Sequence, residues 1–226
     1  MPEFNHPKKE ITFKLVYYGP ALSGKTTNLQ KIHEAAALNS VGDLMTLNTE
    51  GDRTLFFDLL PVKLRTESGF SIKIKLFTVP GQVQHNSTRK IVLRGCDGIV
   101  FVADSQASCS RLNADALENL RQNLRELGRT LTDVPLVVQF NKRDLPGVVP
   151  EEMIRKSWGR SQYPVTLASA AKGAGVTETF EVLTERLYDS LDKKFELGRK
   201  FNLSRKEFLD AIHANFGNSH ARGKSS

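Results

Sequence analysis

Gly19-Pro20-Ala21-Leu22-Ser23-Gly24-Lys25-Thr26 fits the pattern G-x-x-x-x-G-K-[ST]. An apolar run at residues 13–18 precedes it and reads as a short buried strand. Residues 27–38 follow, rich in helix formers, with Leu29, Ile32 and Ala36 at face-forming positions. Strand, glycine loop and helix is the context that gives the pattern chemical meaning. In it, backbone N–H groups of the loop, on through Thr27, form an anion nest at a helix N-terminus. Lys25 then reaches the outer phosphates of a nucleotide and the Thr26 hydroxyl is a ligand for Mg²⁺. The competing reading, a chance match in an ordinary glycine turn, has to account for four fixed positions and two agreeing flanks.

Working outward, apolar runs at 13–18, 72–79, 98–104, 136–141 and 165–169 alternate with helical patterns. This predicts an α/β fold whose mainly parallel sheet is covered on both faces, with the phosphate loop at its carboxyl edge. Segments 59–66 and 70–78 are separated only by Glu67-Ser68-Gly69, too short for a crossover, and should form an antiparallel hairpin. The second arm alternates Ile72, Ile74 and Leu76 with Ser71, Lys73 and Lys75, so one face is buried and the other basic. That basic face is either solubilising or a docking surface. Helices are expected at 109–127, with Leu112, Ala116, Leu120, Leu124 and Leu127 on one stripe, and at 151–158 and 176–191. Ser204-Arg-Lys-Glu207 is a capping-box signature that opens a further helix carrying Phe208, Leu209, Ile212 and Phe216. Trp158 reads as packing.

The chain has 226 residues, 39% hydrophobic and 25% charged, which suits one globular domain with an appendage. The net charge of +7 is spread along the chain and reads as a basic surface rather than a nucleic-acid footprint. No run of about 18 apolar residues occurs, and Cys96 and Cys109 are the only cysteines, so the expected compartment is the cytoplasm.

The phosphate loop leaves kinases, ATPases and GTPases open; the base is read elsewhere. Asn141-Lys142-Arg143-Asp144 stands at the end of an expected strand. The Asp144 carboxylate can accept two N–H bonds from guanine's N1 and exocyclic amine, a pattern adenine lacks, while the stem of Lys142 covers the base. Ser169 and Ala170 at the next strand end strengthen the reading. Together these residues make the chain resemble a Ras-like small GTPase over residues 11–192. Within that superfamily it most resembles the bacterial MglA family of polarity and gliding-motility GTPases, through Tyr17-Tyr-Gly-Pro20, Asp52-Arg-Thr-Leu-Phe-Phe-Asp58, Thr78-Val-Pro-Gly-Gln82, Phe101-Val-Ala-Asp-Ser105 and Asn141-Lys-Arg-Asp-Leu-Pro146.

The resemblance implies a three-layer P-loop small GTPase fold, with a mostly parallel six-stranded sheet and one antiparallel hairpin strand, to which the helix opened by Ser204 is an extra C-terminal element. The GTPase domain is thus expected at 11–192, and the residues outside it read as an N-terminal extension at 1–10, a linker and helix at 193–217 and a small, polar tail at 218–226 that should be disordered. The resemblance also implies GTP and GDP as ligands, Mg²⁺ held by Thr26 and Thr54, Gly81 as the second-switch glycine, Gln82 orienting the attacking water and Arg53 as an arginine finger in cis. Hydrolysis needs such an in-line water and positive charge on the γ-phosphoryl oxygens. Implied partners are a roadblock-type, MglB-like GTPase-activating protein and polarity adaptors. A monomer without nucleic acid or a lipid anchor is expected, recruited to a cell pole by partners, with six basic residues between Lys193 and Lys206 available to an anionic surface.

Two positions depart from the common pattern. Thr78 stands where most small GTPases carry an aspartate that holds Mg²⁺ through water, so Asp58 and Asp104 are the candidate substitutes. Asp104 also resembles a Walker B aspartate, which keeps a P-loop ATPase open. Ala21 stands where glycine is usual, and its Cβ approaches the space of Gln82 and the arginine. The sequence thus implies a slow GTP-hydrolysing switch or, as the alternative, a GTP-loaded scaffold that scarcely hydrolyses.

Overall fold

The computed structural model describes residues 2–37, 40–48, 56–81 and 86–216. Strand β1 (Glu3–Asn5) turns back antiparallel onto β2 (Glu10–Tyr18), which runs into the phosphate loop and helix α1 (Lys25–Ala35). Strands β3 (Met45–Asn48), β4 (Phe56–Arg65) and β5 (Ser71–Thr78) follow, then α2 (Asn86–Leu93), β6 (Gly98–Asp104), α3 (Ser110–Glu126), β7 (Leu136–Asn141), α4 (Glu151–Trp158), β8 (Val165–Leu167), α5 (Val176–Phe195), α6 (Leu197–Phe201) and α7 (Arg205–Phe216).

The sheet order is β3-β4-β5-β2-β6-β7-β8, with β1 on β2. Parallel pairing joins β5, β2, β6, β7 and β8, and their C-terminal ends share one edge, where the phosphate loop lies. All seven residues of β6 are buried, as a central strand covered on both faces requires. One face packs against α1, α5 and α7, with Phe13, Leu15, Ile72, Ile74, Phe180, Phe208 and Phe216 in a single cluster. The other packs against α2 and α3 through Val16, Tyr18, Ile99, Phe101, Leu120 and Leu124.

The hairpin forms as expected: β4 and β5 pair antiparallel, and Gly69 takes a left-handed φ of 79° in the turn. The fold class stands with one correction of detail. Among the described residues the sheet has eight strands rather than six, and three antiparallel pairings rather than one. The two additions, β1 and β3, are three and four residues long, too short to show a period of two. Helix α3 buries Ala116, Leu120 and Leu124, but Leu112, expected on the same stripe, is exposed. Trp158 packs edge-on against Phe140.

Helix α7 is part of the core rather than an appendage. Phe208, Ile212 and Phe216 have no exposed surface, with Phe208 against Phe13 and Tyr188 and Phe216 against Phe180. Glu207 accepts from the Ser204 hydroxyl and backbone N–H, as the capping signature predicts. Near its end, the Asn215 carbonyl accepts from Ala37 N–H at 3.0 Å, and the Asn215 side chain bonds Ser40, so α7 also fastens the chain leaving α1.

Candidate nucleotide site

The loop after β2 and the ends of β3, β4 and β5 enclose a cavity of about 790 Å³, lined in part by Ala21, Lys25, Thr26, Thr46, Asp58 and Thr78. Gly24 has a left-handed φ of 96° and opens α1 without any side-chain cap, so the first N–H groups of the helix face the loop with no side chain competing for them. A Cβ on Gly24 would come within 2.2 Å of the Asn141 amide nitrogen, and one on Gly19 within 2.2 Å of the Val102 carbonyl oxygen. Both glycines are therefore required by space as well as by φ. The Ser23 hydroxyl is buried without a partner. Uncapped N–H groups and a buried ammonium form a donor set that fits an oligophosphate.

That ammonium is Lys25, which donates to the Gly19 carbonyl at 3.2 Å and the Pro20 carbonyl at 2.6 Å. Burial lowers its pKa to about 8, the positive Arg89 adds to the fall, and Asp58 opposes it.

Asp58 is the hub of the metal side. Its Oδ2 accepts from the Thr26 hydroxyl at 2.6 Å and the Thr78 hydroxyl at 2.9 Å, and its Oδ1 accepts from Thr46 at 2.9 Å. Thr78 in turn accepts from the Asp58 N–H. Strand pairing explains the convergence: Thr46 is directly opposite Asp58, and Leu59 opposite Phe77 brings Thr78 alongside. Of the two substitutes for a carboxylate at 78, Asp58 is the one beside Thr26. Asp104 accepts from Lys142 Nζ at 2.7 Å and from Gln106 N–H, on the base side. The oxygen set of Thr26, Asp58, Thr46 and Thr78 is hard and suits Mg²⁺.

On the base side, Asn141 works as a tether. Its Nδ2 donates to the Ser23 carbonyl at 2.8 Å and its Oδ1 accepts from Ala170 N–H at 2.8 Å, so one amide links the phosphate loop to the loop after β8. Lys142 takes a left-handed φ of 65°, held by Asp104. Ser169 donates to Asp144, which, with a backbone N–H bond, keeps that carboxylate below its usual pKa. Asn141 with Ala170, and Asp144 with Ser169, thus join the loop after β7 to the loop after β8.

Gly81 lies against the phosphate loop; a Cβ there would sit 2.2 Å from the Ala21 Cα and 2.9 Å from its Cβ. Arg53, Thr54 and Gln82 lie outside the described residues. Two contributors carried no signal in sequence. Thr46 sits in a strand too short to read, and Arg89, buried on α2, grips the carbonyls of Pro80 and Gly81.

A model of the ADP-ribosylation factor family matches residues 4–187. The chain belongs to that family. It is 47% identical over 193 residues to the mutual gliding-motility protein MglA of Myxococcus xanthus, spanning 85% of this chain and 99% of that protein. Human ADP-ribosylation factor-like protein 4C is 28% identical over 181 residues, 76% of this chain and 85% of its own. Elongation factor 4 of Amoebophilus asiaticus is 24% identical over 186 residues, 81% of this chain but 28% of that protein. The resemblance to Ras-like GTPases and to the MglA family therefore holds, and membership carries GTP binding with Mg²⁺ and GTP hydrolase activity in general. Among the described residues, no helix is long and apolar enough to cross a membrane.

Proposed function

We propose that this protein is a Mg²⁺-dependent guanine-nucleotide switch of the MglA type, slow to hydrolyse GTP, that controls cell polarity or gliding motility through partners that bind its GTP form. The observation that carries the reading is the Asn141 tether, which joins a phosphate nest to an Asp144 carboxylate poised for guanine. The likeness to MglA supports the process.

Bound Mg²⁺ would neutralise charge on the β- and γ-phosphate oxygens, held by Thr26 and Thr54 with the Asp58 carboxylate alongside. Lys25 binds the outer phosphates, Asp144 reads the base, and Lys142 covers it. Gln82 orients the attacking water and Arg53 supplies positive charge, as the family resemblance implies. A roadblock-type, MglB-like activating protein and polarity adaptors are the partners that reading calls for, with recruitment from the cytoplasm to a pole.

Slow turnover rests on Ala21, which lines the pocket beside Gly81 and carries a Cβ where glycine is usual. The same residue favours the second reading, a GTP-loaded scaffold. The ATPase reading loses its support because the Asp104 carboxylate is engaged by Lys142. The test is to identify the nucleotide on purified protein and follow its hydrolysis with and without a roadblock partner. Ala21→Gly should raise the single-turnover rate about tenfold, roughly 1.4 kcal/mol of barrier. An unchanged rate would remove Ala21 as the cause, and retained GTP with no turnover under either condition would favour the scaffold.

A further inference from the structure

Arg89, in the middle of α2, is 2% exposed. A guanidinium cannot shed its proton in a protein, so a buried one needs every donor matched and its charge answered. Here the matching is peculiar. Nε donates to the Pro80 carbonyl at 2.9 Å, Nη2 to the Gly81 carbonyl at 2.6 Å and Nη1 to Asn119 Oδ1 at 2.6 Å, and the guanidinium carbon stands 5.6 Å from the centre of the Tyr18 ring. Every acceptor is neutral, and among the described residues no carboxylate pairs with Arg89.

Its surroundings are themselves braced. The Tyr18 hydroxyl donates to Asn119, Asn123 donates to the Tyr18 hydroxyl at 3.1 Å, and Asn86 accepts from Asn119 and Asn123 at 3.1 and 2.8 Å. Side chains from β2, α2 and α3 thus converge on one guanidinium, which holds two consecutive carbonyls. Those carbonyls belong to Pro80 and Gly81, against the phosphate loop and immediately before Gln82 in the chain. The charge also acts on the pocket, since Arg89 is the second cause, after burial, of the lowered pKa of Lys25. The cation lies behind Pro80 and Gly81, which line the pocket.

Resting on the GTPase reading, we propose that Arg89 is a positioning residue for hydrolysis: its fork fixes the Pro80 and Gly81 carbonyls so that the Gly81 N–H is presented to the terminal phosphate, and its charge is answered by a triphosphate better than by a diphosphate. Asn119, through Nη1, sets the orientation of the fork. Lysine cannot substitute, because one ammonium on a flexible stem does not hold two carbonyls and an amide in a plane.

The full-length protein tests this with Arg89→Ala, Arg89→Lys and Asn119→Ala, each measured for GDP and GTP affinity and for single-turnover hydrolysis. The two Arg89 variants should bind GDP within about threefold of the parent, lose about tenfold of the preference for GTP over GDP, and hydrolyse at least about thirtyfold more slowly; Asn119→Ala should slow hydrolysis about three- to tenfold. A merely structural role would lower both affinities together and leave their ratio unchanged. If the Arg89 variants do not fold, Asn119→Ala decides, and a rate within twofold of the parent overturns the proposal. Hydrolysis near the parent rate in an Arg89 variant that binds GDP also overturns it. A parent that binds no guanine nucleotide would instead sink the GTPase reading, and this inference with it.

Discussion

The two halves of the nucleotide site are built differently. On the base side the polar groups are already joined to one another: Asn141 to Ser23 and Ala170, Lys142 to Asp104, Ser169 to Asp144. On the phosphate side the groups are stacked up but poorly matched. Lys25 leans on two loop carbonyls, three threonine hydroxyls share one carboxylate, and the Ser23 hydroxyl of the loop has no partner, nor has that of Tyr17 in the core beneath. Preorganised groups recognise a ligand without rearranging, whereas unmatched buried groups gain most when a charged ligand arrives. On the proposed reading the base side therefore sets identity, and the phosphate side couples occupancy to the rest of the fold.

The largest effect that would break this contrast is at Asp144. Asp144→Asn replaces an acceptor for guanine's N–H pair with an amide, and GTP affinity should fall on the order of 10²–10⁴-fold. Xanthine nucleotides, which carry a carbonyl in place of the exocyclic amine, should then bind better than GTP in competition titrations. If GTP affinity is untouched, recognition does not reside on the base side.

Asp58→Asn probes the other half. Mg²⁺ affinity should drop about 10–100-fold, the range for a group that orients metal ligands, while GDP binding in chelator stays within about threefold. Equal losses with and without metal would make Asp58 a folding residue only.

A smaller effect concerns protons. An ammonium with a pKa of about 8 is mostly neutral at pH 9, and phosphate charge beside it restores the proton. Nucleotide binding at pH 9 should take up about one proton, and at pH 7 close to none. Calorimetry in buffers of different ionisation enthalpy measures this, and proton release at pH 9 would contradict the assignment of Lys25.

The smallest is Tyr17→Phe. Burial pushes the pKa of that hydroxyl up and nothing in the core answers it, so its removal should cost less than about 0.5 kcal/mol or stabilise the protein in urea unfolding. A cost above about 1.5 kcal/mol would mean that the hydroxyl has a partner after all.

Much of this was legible in the sequence because the governing constraints are local. The glycine loop, Asn141 to Asp144, the hairpin turn at Gly69 and the cap at Ser204 each express a backbone or base-recognition requirement within a few residues. What escaped depends on contacts that no local pattern encodes. Arg89 meets Asn119 thirty positions away, Thr46 meets Asp58 across two strands of which one has four residues, and β1 gains its identity only by lying on β2. Leu112 differs for another reason: the helical period holds, but this residue lies in the first turn of α3, ahead of the buried Ala116, Leu120 and Leu124, and is exposed.

On the proposed reading, Asp58 keeps the acid's place in space while changing its address in the chain. With a threonine at 78 and the acid one strand over, a search that demands an aspartate at the end of β5 passes this protein by. A search that asks which carboxylate lies 2.6 Å from the loop threonine finds it at once. For sequences with the same exchange, the useful query is a pair, threonine at 78 together with aspartate at 58, because neither position alone says that a cation is provided for.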